Sequence, residues 1–474
     1  MKNLLTYHES DFRIILFALV VFCFFILTGR VEAAQITVTS TDDILGGSSS
    51  RCILRDAIEA ANTDQPIGSC PAGSGLDTIQ FNLGQSSQPR TIQLIGQLPK
   101  IYRDLVISGP RASNLIIDGG GFNRVFHITA VSVVISGLSL QNGGGHGAQT
   151  DTHGGAIAIF GGNVELHQMS FERNVSSSGG GAIYFHSGLG FTGVLRIDNC
   201  NFVDNEARTN GWMNSGGGAI MAIGNDFSLT ATNSSFLNNV TVVDSTLHMN
   251  VLAPLGSHGG AILVIPMSDQ SESMVDISTC TFSGNKADGN GGAIAFMNPQ
   301  GQITRVKASI TNVTVVKNIA DSDNIAQGGR GGGIFAQAAK TEIKNTIVAS
   351  NQQLGTIGGL YNPDVLGIFV SAGYNFIGDV GNSVGFTGTA DQVGTSASPI
   401  DPGLLPLADN GGFGMTHLPK LNSNALDKGN CSTSSSDQRG VRRPVDLPVF
   451  NATGGNGCDI GAVEMTKKEF KKLN

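Results

Sequence analysis

The sequence predicts an all-β fold, a right-handed single-stranded parallel β-helix whose coils stack one on another. Three observations predict it. Gly-Gly-Ala-Ile recurs at residues 154–157, 180–183, 217–220, 259–262 and 291–294, with a variant at 331–334. Phe-x-x-Asn falls between these copies at 171–174, 202–205, 236–239 and 282–285, with a degenerate copy at 315–318. Strict alternation of two motifs is the mark of one structural unit repeated. Composition is the third observation. Glycine fills 65 of 474 positions and charged residues only 14%, against ordinary shares of about 7% and about 25%. Short β-branched strands joined by tight turns have that balance.

The residue types in the motifs suit coils that rise by about 4.8 Å. Stacked Phe and Ile fill an interior, and stacked Asn can hydrogen-bond along a ladder. Paired Gly allows positive φ at a corner. Cys200 and Cys280 each stand two residues before the motif Phe, and Ser234 holds that place in the coil between them. They are therefore expected about 9.6 Å apart, beyond disulfide reach, as buried free thiols.

Taken in order, residues 1–33 read as a signal peptide: Lys2 and Arg13, an apolar run from Ile14 to Leu27, then Ala33. The run is short for a membrane span. Residues 34–90 form an N-terminal cap region, in which Leu54, Ala57, Ile58 and Ala61 have helical spacing and predict a helix over 52–62. Residues 91–355 are the β-helix, 356–464 a Gly- and Pro-broken C-terminal cap, and 465–474 a basic tail. Open solenoid ends need such covers, because their strand edges are unpaired. Cys52 with Cys70, and Cys431 with Cys458, are local pairs expected as disulfides in an oxidising compartment.

Loss of residues 1–33 removes Lys2, Arg13 and Arg30 together with Glu9, Asp11 and Glu32, so the net charge stays at −8. An acidic chain argues against nucleic acid or an anionic membrane as its partner.

Residues 51–62, Arg-Cys-Ile-Leu-Arg-Asp-Ala-Ile-Glu-Ala-Ala-Asn, resemble the N-terminal CSLREA motif of bacterial exported β-helix proteins, with Ile53 for Ser and Asp56 for Glu. The alternating motifs resemble repeats of chlamydial polymorphic outer membrane proteins. The stretches 373–379, 391–394, 407–412, 437–444 and 458–464 resemble the choice-of-anchor Q region. The resemblance implies a β-helix displayed on, or released from, a bacterial cell, with no agreed activity. This sequence departs from it by having no barrel-like run of strands after Glu464 and no sorting signal there. Free secretion or loose association with the envelope is therefore expected.

The candidate binding surface is a wall of loops. From each motif Asn to the next Gly-Gly there are 5, 11, 19, 5 and 12 residues, so the insertions leave the coil at one corner, and solenoids often bind on such a face. The wall carries Trp212, Arg208, Asn210, His248, Asp321 and Asp323; Trp212 suits stacking on a sugar ring, or else folds back to cover the coil. A second candidate is the position after each motif Ile. Two successive apolar positions cannot both point inward, so Tyr184, Met221, Leu263 and Phe335 are expected to face out, covered by loops or exposed as a binding patch.

No catalytic set or metal site emerges. Asp198 with Asp226, or Asp204 with nearby acids, could be imagined as the carboxylate pair of a glycosidase, but solvated turn acids are the simpler reading. His153 and His258 each precede a Gly-Gly-Ala-Ile, three coils apart and too distant to share a metal. The Asp288-Gly-Asn290-Gly-Gly turn is a weak hint of calcium, and no other cofactor is implied. The arginines of Arg442-Arg443-Pro444 read as structural. The reading that results is an exported adhesin-like binder of glycan or of a host or matrix surface. A polysaccharide lyase or glycoside hydrolase, which share this fold, is the alternative, and a structural envelope component a third.

Overall fold

In the computed structural model, parallel strands stack into three sheets and each typical coil presents four faces. The structure describes residues 33–46, 50–129, 131–145, 152–188, 192–210, 215–244, 256–267, 272–297, 305–324, 329–355, 363–432 and 435–474. The expected signal peptide lies outside the described residues. In one coil, Ile157–Phe160 forms face 1, Gly162–His167 face 2, Ser170–Glu172 face 3 and Val175–Ser176 face 4. Faces 1 and 2 belong to a 17-stranded sheet, face 3 to an 11-stranded sheet and face 4 to a 7-stranded sheet. The result is a right-handed parallel β-helix, in keeping with the handedness that twisted parallel crossovers adopt.

The motifs set this geometry. The first Gly of each Gly-Gly-Ala-Ile sits at positive φ, as at Gly180 (65°) and Gly217 (70°). A Cβ on the second, such as Gly181 or Gly218, would run into the carbonyl of the equivalent Gly one coil on. One glycine makes the corner, and its neighbour lets the coils close up. The corners flanking face 3 also use positive φ, at Asn199, Asn233 and Asn345 on one side and Arg173, Asp204 and Asn238 on the other.

Inside face 3, Phe171, Phe202, Phe236 and Phe282 stack with centroids 4.6, 4.7 and 4.5 Å apart and planes within 3°. Val315 and Val348 continue the column, so the degenerate motif keeps the register. At the next corner Asn174, Asn205, Asn239, Asn285, Asn318 and Asn351 form a buried ladder. Each Nδ2 donates to the Oδ1 of the next rung, at 2.8 to 2.9 Å. That same Oδ1 accepts the backbone N–H of the preceding Asn. The ladder ends on Asp364, whose Oδ1 takes both bonds from Asn351. A last rung needs only acceptors, and a carboxylate supplies them. Burial pushes the Asp364 carboxyl up to about 7 against the donors that surround it.

Cys200 and Cys280 are buried free thiols with Ser234 between them, and the Ser234 hydroxyl accepts the Cys200 N–H. Burial pushes both thiols up to about 12. We expect both to resist alkylation in the native protein at pH 8 and to react fully once it is unfolded; mass spectrometry after a timed iodoacetamide pulse checks this. Cys52 is bonded to Cys70, and Cys431 to Cys458.

The N-terminal region begins the coil sooner than the sequence suggests. Gln35–Val38 already pairs in parallel with Asp77–Phe81, which pairs with Leu105–Ser108. The helix, α1, runs Leu54–Thr63 rather than 52–62, because Cys52 and Ile53 remain extended before it. Its residues Leu54, Ala57, Ile58 and Ala61 join the main core.

The C-terminal region departs most from expectation. Residues 365–393 add rungs to the solenoid, but the chain that follows does not stay at the end as a cap. It folds back along the outside of face 3. Asn201 donates to the Phe413 carbonyl, Ser235 to the Met415 carbonyl and Thr281 to Gln438, while His417 meets Ser283 at 3.0 Å. The physical reason lies in the outward column of face 3. It runs Ser139, Ser170, Asn201, Ser235, Thr281, Thr314, Ile347, Phe376. Its far end is apolar and must be covered, and Ala425 and Ile460 of the tail pack on Val316, Ile347, Ala349 and Phe376. The basic tail is ordered as a second helix, α2 (Lys467–Leu473), started by a capping box between Thr466 and Glu469.

Candidate functional site

The expected loop wall is only partly described. Trp212 and His248 lie outside the described residues. Arg208 sits on a short face-4 strand and pairs with Glu206 at 2.7 Å. Asp321 is buried, at the turn after Ile319–Ala320, and Asp323 stands beyond it.

The outward stripe is formed, and it is covered. Ile183, Ile220, Ile262 and Ile294 belong to the main core, and so do Phe185, Ala222, Val264 and Phe296. Between them Tyr184, Met221 and Leu263 face out, as does Phe335 between Ile334 and Ala336, and these four make a separate apolar cluster with Ile223, Ile265, Ala295 and Met297. Their exposures are 7%, 1%, 0% and 8%. A free apolar binding patch is thus not what these four residues present. The Tyr184 ring lies 4.2 Å from that of His153 and meets Phe160 edge-on.

The imagined acids and metal ligands serve the turns. Asp198 ends a face-2 strand, whereas Asp226 precedes the adjacent one, Phe227–Thr232, so a strand length of about 20 Å separates them. Burial acts to raise the Asp198 pKa, but hydrogen bonds from Thr232, Asn233 and Asn199 outweigh it and hold that carboxyl below its ordinary range. Asp288 accepts from the Ser322 hydroxyl and the Val243 N–H, and Asn290 from the Arg330 N–H. That turn is tied to the coils on either side of it. His258 Nδ1 accepts the Asn290 N–H. Among the described residues no group of three or more His, Cys, Asp or Glu is placed to hold a metal ion. Arg443 is buried in the tail, where it donates to the Gly461 and Asp459 carbonyls and faces Glu464 at 3.8 Å.

One described surface does assemble a site, on the outside of face 3 before the tail reaches it. The second outward column there runs Gln93, Asp118, Gln141, Glu172, one polar side chain per coil. Thr91, Ile116, Ser139 and Ser170 stand beside it. These groups are held by one another and by the adjoining corner. Asp118 accepts from the Gly120 N–H and from Asn142 Nδ2, at 2.8 and 3.0 Å. Arg173 donates to Gln141 at 2.9 Å and reaches Glu172 at 3.4 Å. Ser170 donates to Glu172 and Gln141 to Ser139, at 2.8 and 3.0 Å. A cleft of 620 Å³ opens at the Glu172 end of this shelf, lined by Arg111, Ala112 and Ser113 on one side and by Gly412 and Phe413 of the tail on the other. Gln168, Ser170, Glu172 and Asn201 line it between them.

Sequence reasoning missed this shelf. Its signal was a polar residue immediately after each of the inward residues Ile92, Ile117, Leu140 and Phe171. The other wall comes from chain more than 200 positions away, as in the Asn201–Phe413 bond, and no repeat period announces that.

The fold and this surface define a β-helix repeat protein with an open polar cleft on one face. Residues 168–186 and 279–296 match the family model described as the Chlamydia polymorphic membrane protein (Chlamydia_PMP) repeat. The matched segments run from face 3 through face 4 into face 1, so the chain shares a repeat with a surface or outer-membrane type of protein. A solved structure to which the chain is similar is the crystal structure of pectate lyase Pel9A, with a TM-score of 0.39 and 13% identity over 92% of this chain and 98% of that one. No curated protein matches the chain.

Proposed function

We propose that the protein is an exported β-helix, secreted or held at the outer surface of a bacterial cell, that binds polysaccharide without cleaving it on the outer shelf of face 3. The observation that carries this reading is the ordered column Gln93, Asp118, Gln141, Glu172, which leads into an open cleft at Glu172. Side-chain amides and carboxylates are paired donors and acceptors suited to sugar hydroxyls. A column repeating every ~4.8 Å meets a polymer with repeated contacts, so weak single contacts add up. Because the shelf's own hydrogen bonds already orient these groups, little ordering remains to be done on binding. Phe413 adds an aromatic wall. Export is supported by the repeat match and by the apolar segment Ile14 to Leu27 with its flanking residues.

Affinity electrophoresis in gels containing plant, bacterial or animal polysaccharides tests this reading. One or more polymers should retard the wild type. Glu172→Ala combined with Gln141→Ala should weaken that retardation by about tenfold or more, the loss expected for hydrogen bonds that include a charged partner. Phe413→Ala should weaken it too. Retardation unchanged in these variants would exclude the shelf as the binding site.

A second reading has one specific observation behind it. Asp118 and Glu172 lie two rungs apart on the same column, about 9.6 Å by the rise per strand. That is close to the upper end of the carboxylate separation in inverting glycosidases, about 9.5 Å. Such an enzyme needs one carboxyl as proton donor, whereas both carboxylates here accept hydrogen bonds from neighbouring groups, which favours binding. New reducing ends from a retained polysaccharide, abolished by Asp118→Asn or Glu172→Gln, would establish the hydrolase instead.

A further inference from the structure

The far side of the tail carries a feature that polysaccharide binding does not use. Phe450 is 93% exposed at the tip of a loop whose neighbours Leu447 and Val449 are packed inward with Leu426, Met465 and Phe470. Phe470 belongs to α2, so loop and helix share one small core and are fixed to each other. Leu447 and Pro448 line a 450 Å³ cleft together with Lys467, Phe470 and Lys471. Arg439 holds the helix from the other side through Glu469, at 2.6 Å.

This places a protruding aromatic ring on the loop that packs against a lysine-rich helix. Lys467, Lys468, Lys471 and Lys472 are all exposed on α2, and Lys428 Nζ donates to the Phe450 carbonyl. Among the described residues none of these five lysines forms an ion pair. Of the nearby acids, Glu469 is paired with Arg439 and accepts from Thr466, while Asp446, which accepts from Asn451, shares the cleft with Lys467 and Lys471. On a chain of net charge −8, four exposed lysines on one short helix, packed against a loop that is met by Lys428 and carries a protruding phenylalanine, stand out against the whole. The overall charge disfavours an anionic membrane as a partner, but the charge a flat bilayer meets is the local one, within a Debye length of about 8 Å.

We propose that the α2–Phe450 surface is a peripheral docking site for an anionic lipid bilayer. The lysines lie against the headgroups and Phe450 enters the acyl boundary, as the apolar part of an interfacial segment does. The site is pre-formed, since both elements are packed on Leu426, Leu447 and Met465. This surface goes beyond the polysaccharide reading and does not depend on it.

The test is co-sedimentation of the full chain with vesicles of phosphatidylcholine alone or mixed with phosphatidylglycerol. Each lysine at an anionic surface contributes roughly fivefold in affinity. The wild type should therefore bind the mixed vesicles at least 100-fold more tightly than neutral ones, and 0.5 M salt should remove most of that difference. Lys467, Lys468, Lys471 and Lys472 changed together to Gln should lower binding to nearly the neutral-vesicle level. Phe450→Ser should lower it about tenfold at unchanged salt dependence. These side chains are exposed, and an unchanged melting temperature confirms that the variants are folded. Equal binding to both vesicle types, or variants that bind the mixed vesicles as the wild type does, would overturn the proposal. That includes binding held only by the apolar N-terminal segment, which would treat wild type and variants alike.

Discussion

Asn239→Ala should destabilise the protein by about 3–5 kcal/mol, although it removes only one small side chain. The reason is the number of buried groups that depend on it. Asn239 Oδ1 accepts from both the backbone N–H and the Nδ2 of Asn205. Its own Nδ2 supplies the Phe202 carbonyl and the next rung, Asn285. Alanine leaves two donors on Asn205 without an acceptor at a site closed to water, and each orphaned buried group costs about 1–3 kcal/mol. Phe236→Ala, three residues earlier in the same coil, opens a cavity in the ring stack and should cost a similar amount. The ladder variant is distinguished by its partner. Asn205→Ala should be less harmful on the Asn239→Ala background than alone, because the Asn205–Asn239 side-chain bond has already been lost, while the two donors of Asn174 are orphaned in either case. Chemical denaturation of the two single variants and the double variant measures this coupling. Additive losses would show that the ladder is not a connected network.

Asp427→Asn should stabilise the protein by about 2–4 kcal/mol at pH 8 and change little at pH 4. Asp427 is buried in the tail. Its Oδ2 accepts the Leu447 N–H, and its Oδ1 has no partner among the described residues. Burial, with Asp446 and Glu464 adding to it, pushes this carboxyl up to about 7 from an ordinary 3.8. The folded state therefore holds a proton that the unfolded state releases between pH 3.8 and 7. Stability falls as pH rises through that window, and the full penalty of the buried charge is felt above pH 7. Every tenfold difference in proton affinity between the folded and unfolded states is worth about 1.4 kcal/mol. Asparagine keeps an acceptor for Leu447 and carries no charge. Thermal melts of wild type and variant from pH 4 to pH 8 should diverge steadily with pH, and parallel curves would contradict this origin of the effect.

The repeat was legible because the constraints that create it are local. Gly180 needs positive φ and Gly181 close approach, Phe202 must stack on Phe236, and Asn205 must meet Asn239, so the same letters return in every coil. The outward direction of Tyr184 and Met221 followed from strand alternation alone. What covers them did not, and the loop candidates Trp212 and His248 fall outside the described residues. The course of the tail was hidden for a different reason. Its contacts, such as Gln438 with Thr281 and Ala462 with Thr314, are solved once each and leave no period. The one available sign was the change of the outer face-3 column from Ser and Thr to Ile347 and Phe376. The candidate shelf depends on where that cover stops, so it became visible only with the tail in place.

The most direct test of polysaccharide binding on face 3 is a crystal structure of the protein with an oligosaccharide cut from whichever polysaccharide retards it. Sugar density is expected along Gln93, Asp118, Gln141 and Glu172 and on into the cleft between the Arg111–Ser113 turn and Phe413, with the glycosidic bonds intact. Density on the loop side beyond face 4, with the face-3 shelf empty, would contradict this, and a cleaved chain between Asp118 and Glu172 would replace the binder with a hydrolase.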